Sequence, residues 1–223
     1  MTPSDRNFRE ENSFFLSGET RIALDIYQPP TGAANGSGVL LLHGAEGLGF
    51  RDAYRQGARN LAASGPVVGI VHYLDRTAER RVTFARIAAH FPLWTLAVRA
   101  AIDAFGARAD LSAGRLGLVG ISLGATLALQ VASEDERVRA VVDFFGPLPQ
   151  NIDTLPRFAP TLVLHGEQDS LVPATHGHRL VALLEARGVP HEAHFFADQG
   201  HGFHGEASLA AGLLVADFLR RRL

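Results

Sequence analysis

The chain has no cysteine, one methionine, one tryptophan and a net charge of only −2 over 223 residues. Without cysteine there can be no disulfide framework, no thiolate metal site and no thiol nucleophile. The basic residues are scattered except for an arginine run at 220–222, so no basic stripe marks a nucleic-acid footprint. That run closes a helix, where cations meet the negative end of the dipole. No apolar run approaches the roughly 20 residues needed to span a bilayer. The start, Met1 to Asn12, lacks the basic and apolar regions of a leader peptide. The expectation is a cytoplasmic protein with neither nucleic acid nor membrane as partner, monomeric or homodimeric.

What is present suits a packed globule. The composition is 47% hydrophobic and 20% charged, with 23 glycines and 11 prolines, which excludes disorder and collagen-like repeats. Such a length admits one or two domains. As one unit it would bury about 70–75% of its extended surface.

Residues 14–18 and 21–28 alternate around a Gly-Glu-Thr turn and read as an antiparallel hairpin. After a Pro/Gly loop at 29–38, the continuous apolar run 38–44 reads as a strand buried on both faces. A helix is expected over 51–64, closed by Gly65 and Pro66, and a second buried strand over 67–73. The stretch 78–108 has helical spacing, and Phe91-Pro92 is expected to divide it into two helices. Strands at 115–121, 138–145, 160–165 and 191–196 then alternate with helices at 123–134, 174–187 and 208–221. This is the α/β class: an open, mostly parallel sheet with helices on both faces and right-handed crossovers. No linker or internal repeat interrupts it, so residues 1–223 read as one domain.

The strongest chemical signal is Gly120-Ile-Ser122-Leu-Gly124, set between a buried strand and an apolar helix. A bare G-x-S-x-G arises by chance in roughly one chain in ten of this composition, and its strand-to-helix context makes it specific. The turn must be so sharp that the serine is strained, and glycines on either side leave it room. The hydroxyl then projects at a helix N-terminus, where free N–H groups and the dipole favour an oxyanion. Asp169 follows the buried strand Thr161-Leu-Val-Leu-His165, and His201 sits between Gly200 and Gly202 after the last strand. Ser…Asp…His is the α/β-hydrolase order. The expected roles are Ser122 as nucleophile, His201 as general base then acid, and Asp169 as orienter of the imidazole. Asp198 and Glu167 are rival acids, and Asp169 could instead cap the following helix. His43 and His165, each before a glycine at a strand end, read as packing features. His176, His178 and His204 lack a carboxylate at ligand spacing, so neither metal nor cofactor is expected.

These motifs, with the segment Leu42-His-Gly-Ala-Glu46-Gly47, resemble the dienelactone hydrolase family of the α/β-hydrolase superfamily over nearly the whole chain. The resemblance implies an α/β-hydrolase fold without a large cap domain. It also implies hydrolysis of a small-molecule ester, thioester or lactone. Carried over by position, Glu46 contacts the resting nucleophile, and the Gly47 and Leu123 N–H groups form the oxyanion hole. A generic His-Gly loop would use Ala45 or Glu46 instead of Gly47. The family prototype has a cysteine nucleophile where this chain has Ser122. Of its two carboxylate-binding arginines, one falls at Arg76 and the other is replaced by His204.

Loops 74–80, 92–95 and 147–158 are expected to wall the pocket, with 147–158 as the lid. Phe91, Trp94 and Phe145 are candidate linings for an acyl group. A modest, fairly open site is expected. A transacylase, a peptidase or a biosynthetic enzyme using the same triad, or a non-catalytic binder on the same fold, are the alternatives.

Overall fold

The computed structural model describes residues 9–223; most of the segment read for a leader peptide lies outside them. An antiparallel hairpin, β1 (Glu10–Ser17) and β2 (Thr20–Tyr27), leads into alternating strands and helices. These are β3 (Gly38–Leu42), α1 (Arg51–Ala62), β4 (Val67–Val71), α2 (Phe84–Gly106) and β5 (Leu116–Ile121). The chain continues through α3 (Leu123–Ala132), β6 (Val138–Phe144), β7 (Thr161–Gly166), α4 (Thr175–Ala186), β8 (His191–Phe196) and α5 (Gly205–Arg222). The eight strands form one sheet in the order β1-β2-β4-β3-β5-β6-β7-β8, parallel from β4 to β8. This is an α/β-hydrolase fold, with no large cap among the described residues.

The apolar runs are explained by a core on each face of the sheet. Leu40, Leu42 and Leu118 point to the face covered by α2, α3 and α4, where Trp94, Ile102, Leu127 and Leu180 pack. Their neighbours Val39, Leu41 and Val119 point to the opposite face, under Tyr54, Ala58, Val215 and Phe218 of α1 and α5. A strand with helices on both sides has no polar face, so alternation disappears from its sequence.

The topology fixes where a ligand belongs. From β3 the chain crosses to β4 on one side, then returns past β3 to β5 on the other. Strand order reverses between β3 and β5, and the crevice outside their carboxyl ends is the favoured binding place in such sheets. The loop at 43–50 and the turn at Ser122 meet there.

One expectation fails. Phe91-Pro92 does not divide the 78–108 stretch: α2 runs unbroken from Phe84 to Gly106 with Pro92 inside. Pro92 and Ala88, whose carbonyl loses its usual partner, both lie on the exposed side of the helix. Water can satisfy that carbonyl, while the buried face of Trp94, Val98, Ala101, Ile102 and Phe105 holds the helix together. Ahead of it, residues 73–77 form a 3-10 turn closed by Ala78 at φ 55°, so the helix begins later than its periodicity suggests.

Candidate active site

Ser122 occupies the junction of β5 and α3 with φ 53° and ψ −119°, a region that non-glycine residues enter only under constraint. The constraint comes from its flanking glycines. A Cβ on Gly120 would collide with the Ala125 backbone, and one on Gly124 with the Leu42 carbonyl of β3. The helix therefore starts hard against the sheet, and the Ser122 N–H is anchored on the Phe144 carbonyl at 2.9 Å. The hydroxyl is left free to point outward: it makes no capping hydrogen bond to α3.

Three residues from distant parts of the chain meet here. Ser122 Oγ lies 3.0 Å from His201 Nε2, and His201 Nδ1 lies 2.7 Å from Asp169 Oδ2. The Asp169 side chain is fully buried, and its other oxygen accepts the N–H groups of Leu171 and Val172 at 2.9 and 2.8 Å. Those bonds hold the carboxylate in its turn ahead of α4, so Asp169 does not cap that helix. With Asp169 accepting the Nδ1 proton, the imidazole turns the lone pair of Nε2 toward the serine hydroxyl. Asp198 and Glu167 take no part; Glu167 pairs with His178 at 3.2 Å on the surface.

The neighbouring histidines are engaged in packing and hydrogen bonds of their own. His165 is completely buried beneath the acid, its Nε2 against the Val172 carbonyl at 2.9 Å, and burial holds its pKa below the usual value. His43, also buried, has its pKa pushed down to about 4 by desolvation and stacks on Tyr73 with centroids 4.3 Å apart. His176 accepts the Leu148 N–H, and His178 stacks on Phe195. Among the described residues no His/Asp/Glu cluster is arranged to hold a metal ion.

On the β3 side the arrangement departs from the expectations. No hydrogen bond joins Glu46 to Ser122; the Glu46 carboxylate instead accepts the hydroxyl of Tyr54. The Gly47 N–H donates to the Gly44 carbonyl at 3.1 Å, closing a turn. The Leu123 N–H, at the first position of α3, has no such partner among the described residues. Arg76 stands on the same edge of the sheet, with its guanidinium bonded to Thr20 of the hairpin at 2.9 Å. His204 is exposed, and its N–H is taken by Gln199.

Of the aromatic candidates, Phe145 reaches the site. It follows β6 at φ 42° and packs edge-on against the His201 ring at 4.7 Å. Trp94 does not: it is fully buried, with its indole N–H on Thr77 at 2.9 Å. It belongs to the core face of a helix whose continuity the sequence expectation missed. The 147–158 loop is fastened rather than free. Ile152, Leu155 and Phe158 are buried, and Arg187 holds the Leu155 carbonyl at 2.7 Å. Two neighbours of this cluster escape sequence reading altogether. Tyr54 looks like one more apolar position of α1, and Asp143 sits inside an apolar strand, so neither belongs to a motif.

A separate hollow of about 300 Å³ opens by Leu116 at the start of β5, on the opposite edge of the sheet from Ser122. Its arginines are already engaged, Arg137 with Asp103 and Asp135, and Arg115 with main-chain carbonyls.

The profile of the dienelactone hydrolase family matches residues 26–211. Among solved structures, a dienelactone hydrolase-like promiscuous phosphotriesterase from metagenomic libraries superposes with a TM-score of 0.81. It is 17% identical, and the match covers 96% of this chain and 98% of that one. A dienelactone hydrolase from Anabaena variabilis gives 0.76 at 21% identity, covering 97% and 99%. An acylaminoacyl peptidase from Pyrococcus horikoshii gives 0.80 at 15% identity, covering 98% of this chain but 42% of that one. No curated protein matches the chain. At these identities the superpositions speak for the fold.

Proposed function

Because the chain belongs to the dienelactone hydrolase family, and so to the hydrolases of the α/β type, we propose that it cleaves carboxylic ester, thioester or lactone bonds through an acyl-enzyme on Ser122. The observation that carries this reading is the hydrogen-bonded series Ser122–His201–Asp169 at 3.0 and 2.7 Å.

In this scheme His201 Nε2 takes the Ser122 proton as Oγ adds to the substrate carbonyl carbon. The Leu123 N–H and the dipole of α3 stabilise the oxyanion. The second donor comes from the loop after β3. There the Gly47 N–H is already bonded, which favours the Ala45 or Glu46 amide. His201 then protonates the leaving alkoxide or thiolate, and Asp169 stabilises the imidazolium meanwhile. Water, deprotonated by His201, attacks the acyl-enzyme, and His201 returns that proton to Ser122 Oγ as the acid is released. No metal or cofactor enters the scheme.

The substrate reading is a small molecule taken at an open site, because Ser122 and His201 are partly exposed and the 147–158 loop is pinned to the core. The same reading treats residues 1–223 as one domain, since β5, β7 and the turn after β8 bring the triad to one sheet edge. The test is turnover of p-nitrophenyl esters by the purified protein and by Ser122→Ala. We expect a fall of about 10⁴-fold or more in kcat, with fluorophosphonate labelling confined to the serine-bearing protein. Equal rates in the two would overturn the assignment. Adding acceptor alcohols, amines or peptides separates hydrolysis, which yields only free acid, from acyl transfer.

A further inference from the structure

The loop after β3 is held by groups that this scheme does not use. Tyr54, in the first turn of α1 and nearly buried, accepts the Gly44 N–H on its hydroxyl oxygen at 3.0 Å and donates its own proton to Glu46. Burial, followed by the neighbouring carboxylate, raises its pKa far above the ordinary phenol value, so it remains a donor throughout the working range. From the other side, the Tyr73 hydroxyl donates to the His43 carbonyl at 2.7 Å, and the Val82 N–H donates to the Ala45 carbonyl at 2.7 Å. The Glu46 carboxylate lies folded back over Gly44, so closely that a Cβ there would overlap it. One hydroxyl thus fixes both the backbone of the loop and the place of its acidic side chain.

Resting on the reading of Ser122 as nucleophile, we propose that Tyr54 is a positioning residue for the oxyanion side of the site. It holds the loop amides in register with the Leu123 N–H and keeps the Glu46 carboxylate away from the charge that develops on the substrate. A carboxylate free to swing near an oxyanion in a partly desolvated site would raise the energy of that intermediate by like-charge repulsion. Its effect falls on the transition state, because the neutral ester of the ground state feels little of it.

Removing the hydroxyl with Tyr54→Phe is expected to lower kcat for p-nitrophenyl esters about 10- to 100-fold while KM stays within about threefold. Part of that loss acts through Glu46, so it should shrink at least about threefold when Tyr54→Phe is made in a Glu46→Gln background. Gly44→Ala keeps the phenol but displaces the carboxylate from it, and should lower kcat about tenfold with little change in Tm. That variant decides the matter if Tyr54→Phe does not fold. A Tyr54→Phe protein with wild-type kcat, a loss of equal size in both backgrounds, or a fully active Gly44→Ala protein would each overturn the proposal. Fluorophosphonate labelling separates the two levels of inference. A wild-type protein that is inactive and unlabelled at Ser122 sinks the hydrolase reading and this one with it. A labelled, active wild type with an unimpaired Tyr54→Phe protein sinks only the role of Tyr54.

Discussion

The two sides of the crevice are built on different principles. On the β5–β8 side, backbone geometry sets the position of each group. Gly120 and Gly124 force Ser122 outward, two consecutive amides seat Asp169, and a glycine-flanked turn delivers His201. On the β3–β4 side two hydroxyls reach in from elsewhere to hold the loop at 43–50, Tyr54 from α1 and Tyr73 from the turn after β4, and beside it Thr20 of the hairpin holds Arg76. The first kind of site leaves a motif in the sequence, because only a few residue types tolerate the backbone. The second leaves none, because many side chains could do the holding.

The largest effect that probes this contrast is Asp169→Asn. The amide keeps its size and can still accept from Leu171 and Val172, but it no longer stabilises the imidazolium or fixes the tautomer. A fall in kcat of about 10³- to 10⁴-fold is expected, with the fold intact. A fall of less than about tenfold would mean that Asp169 only shapes its turn, and would return the acid role to a rival.

Next comes a pair of glycine-to-alanine changes, one on each side. At Gly124 the new methyl group meets the main chain of β3, which cannot step aside, so Gly124→Ala should destabilise the protein by about 3 kcal/mol, read from urea unfolding. At Gly44 the methyl group meets the end of a flexible glutamate, so Gly44→Ala should leave stability nearly unchanged and alter kcat instead. If both variants lose stability equally, the two sides do not differ as described.

That difference also accounts for what was legible in the sequence. The parallel sheet, its flanking helices, Ser122, Asp169 and His201 were readable because each is tied to a local signal: an apolar run, a glycine pair, an acid or histidine at a strand end. The unbroken α2 was not, because the penalty of Pro92 falls on its exposed side while long-range packing of Trp94 and Val98 decides the outcome. Tyr54 was invisible because its helical spacing announces a core position, and nothing local records the hydroxyl reaching back ten residues to Gly44. Position alone assigned Arg76 to the pocket; the hydrogen bond that ties it to Thr20 spans 56 residues.

The smallest of these effects concerns a group that breaks the pattern on the legible side. Asp143 lies in β6 beside the Ser122 turn, 1% exposed, with one oxygen on the Gly146 N–H at 2.8 Å and the other without a partner. It fixes the bend that carries Phe145 onto the His201 ring. Burial pushes its pKa up to about 6 from an ordinary value of 3.8. A carboxyl whose pKa is raised on folding binds its proton more tightly in the native state. Its favourable contribution is therefore complete below about pH 4 and is lost as pH climbs through about 6. The shift is worth at most about 3 kcal/mol. Asp143→Asn does not titrate, so its stability relative to wild type should rise by about 2–3 kcal/mol between pH 4 and pH 8. Urea unfolding of both proteins across that range measures the difference directly. Parallel pH profiles would mean that the Asp143 carboxyl is solvated or paired in solution, and that the bend at Phe145 is held by the backbone alone, like the rest of its side of the crevice.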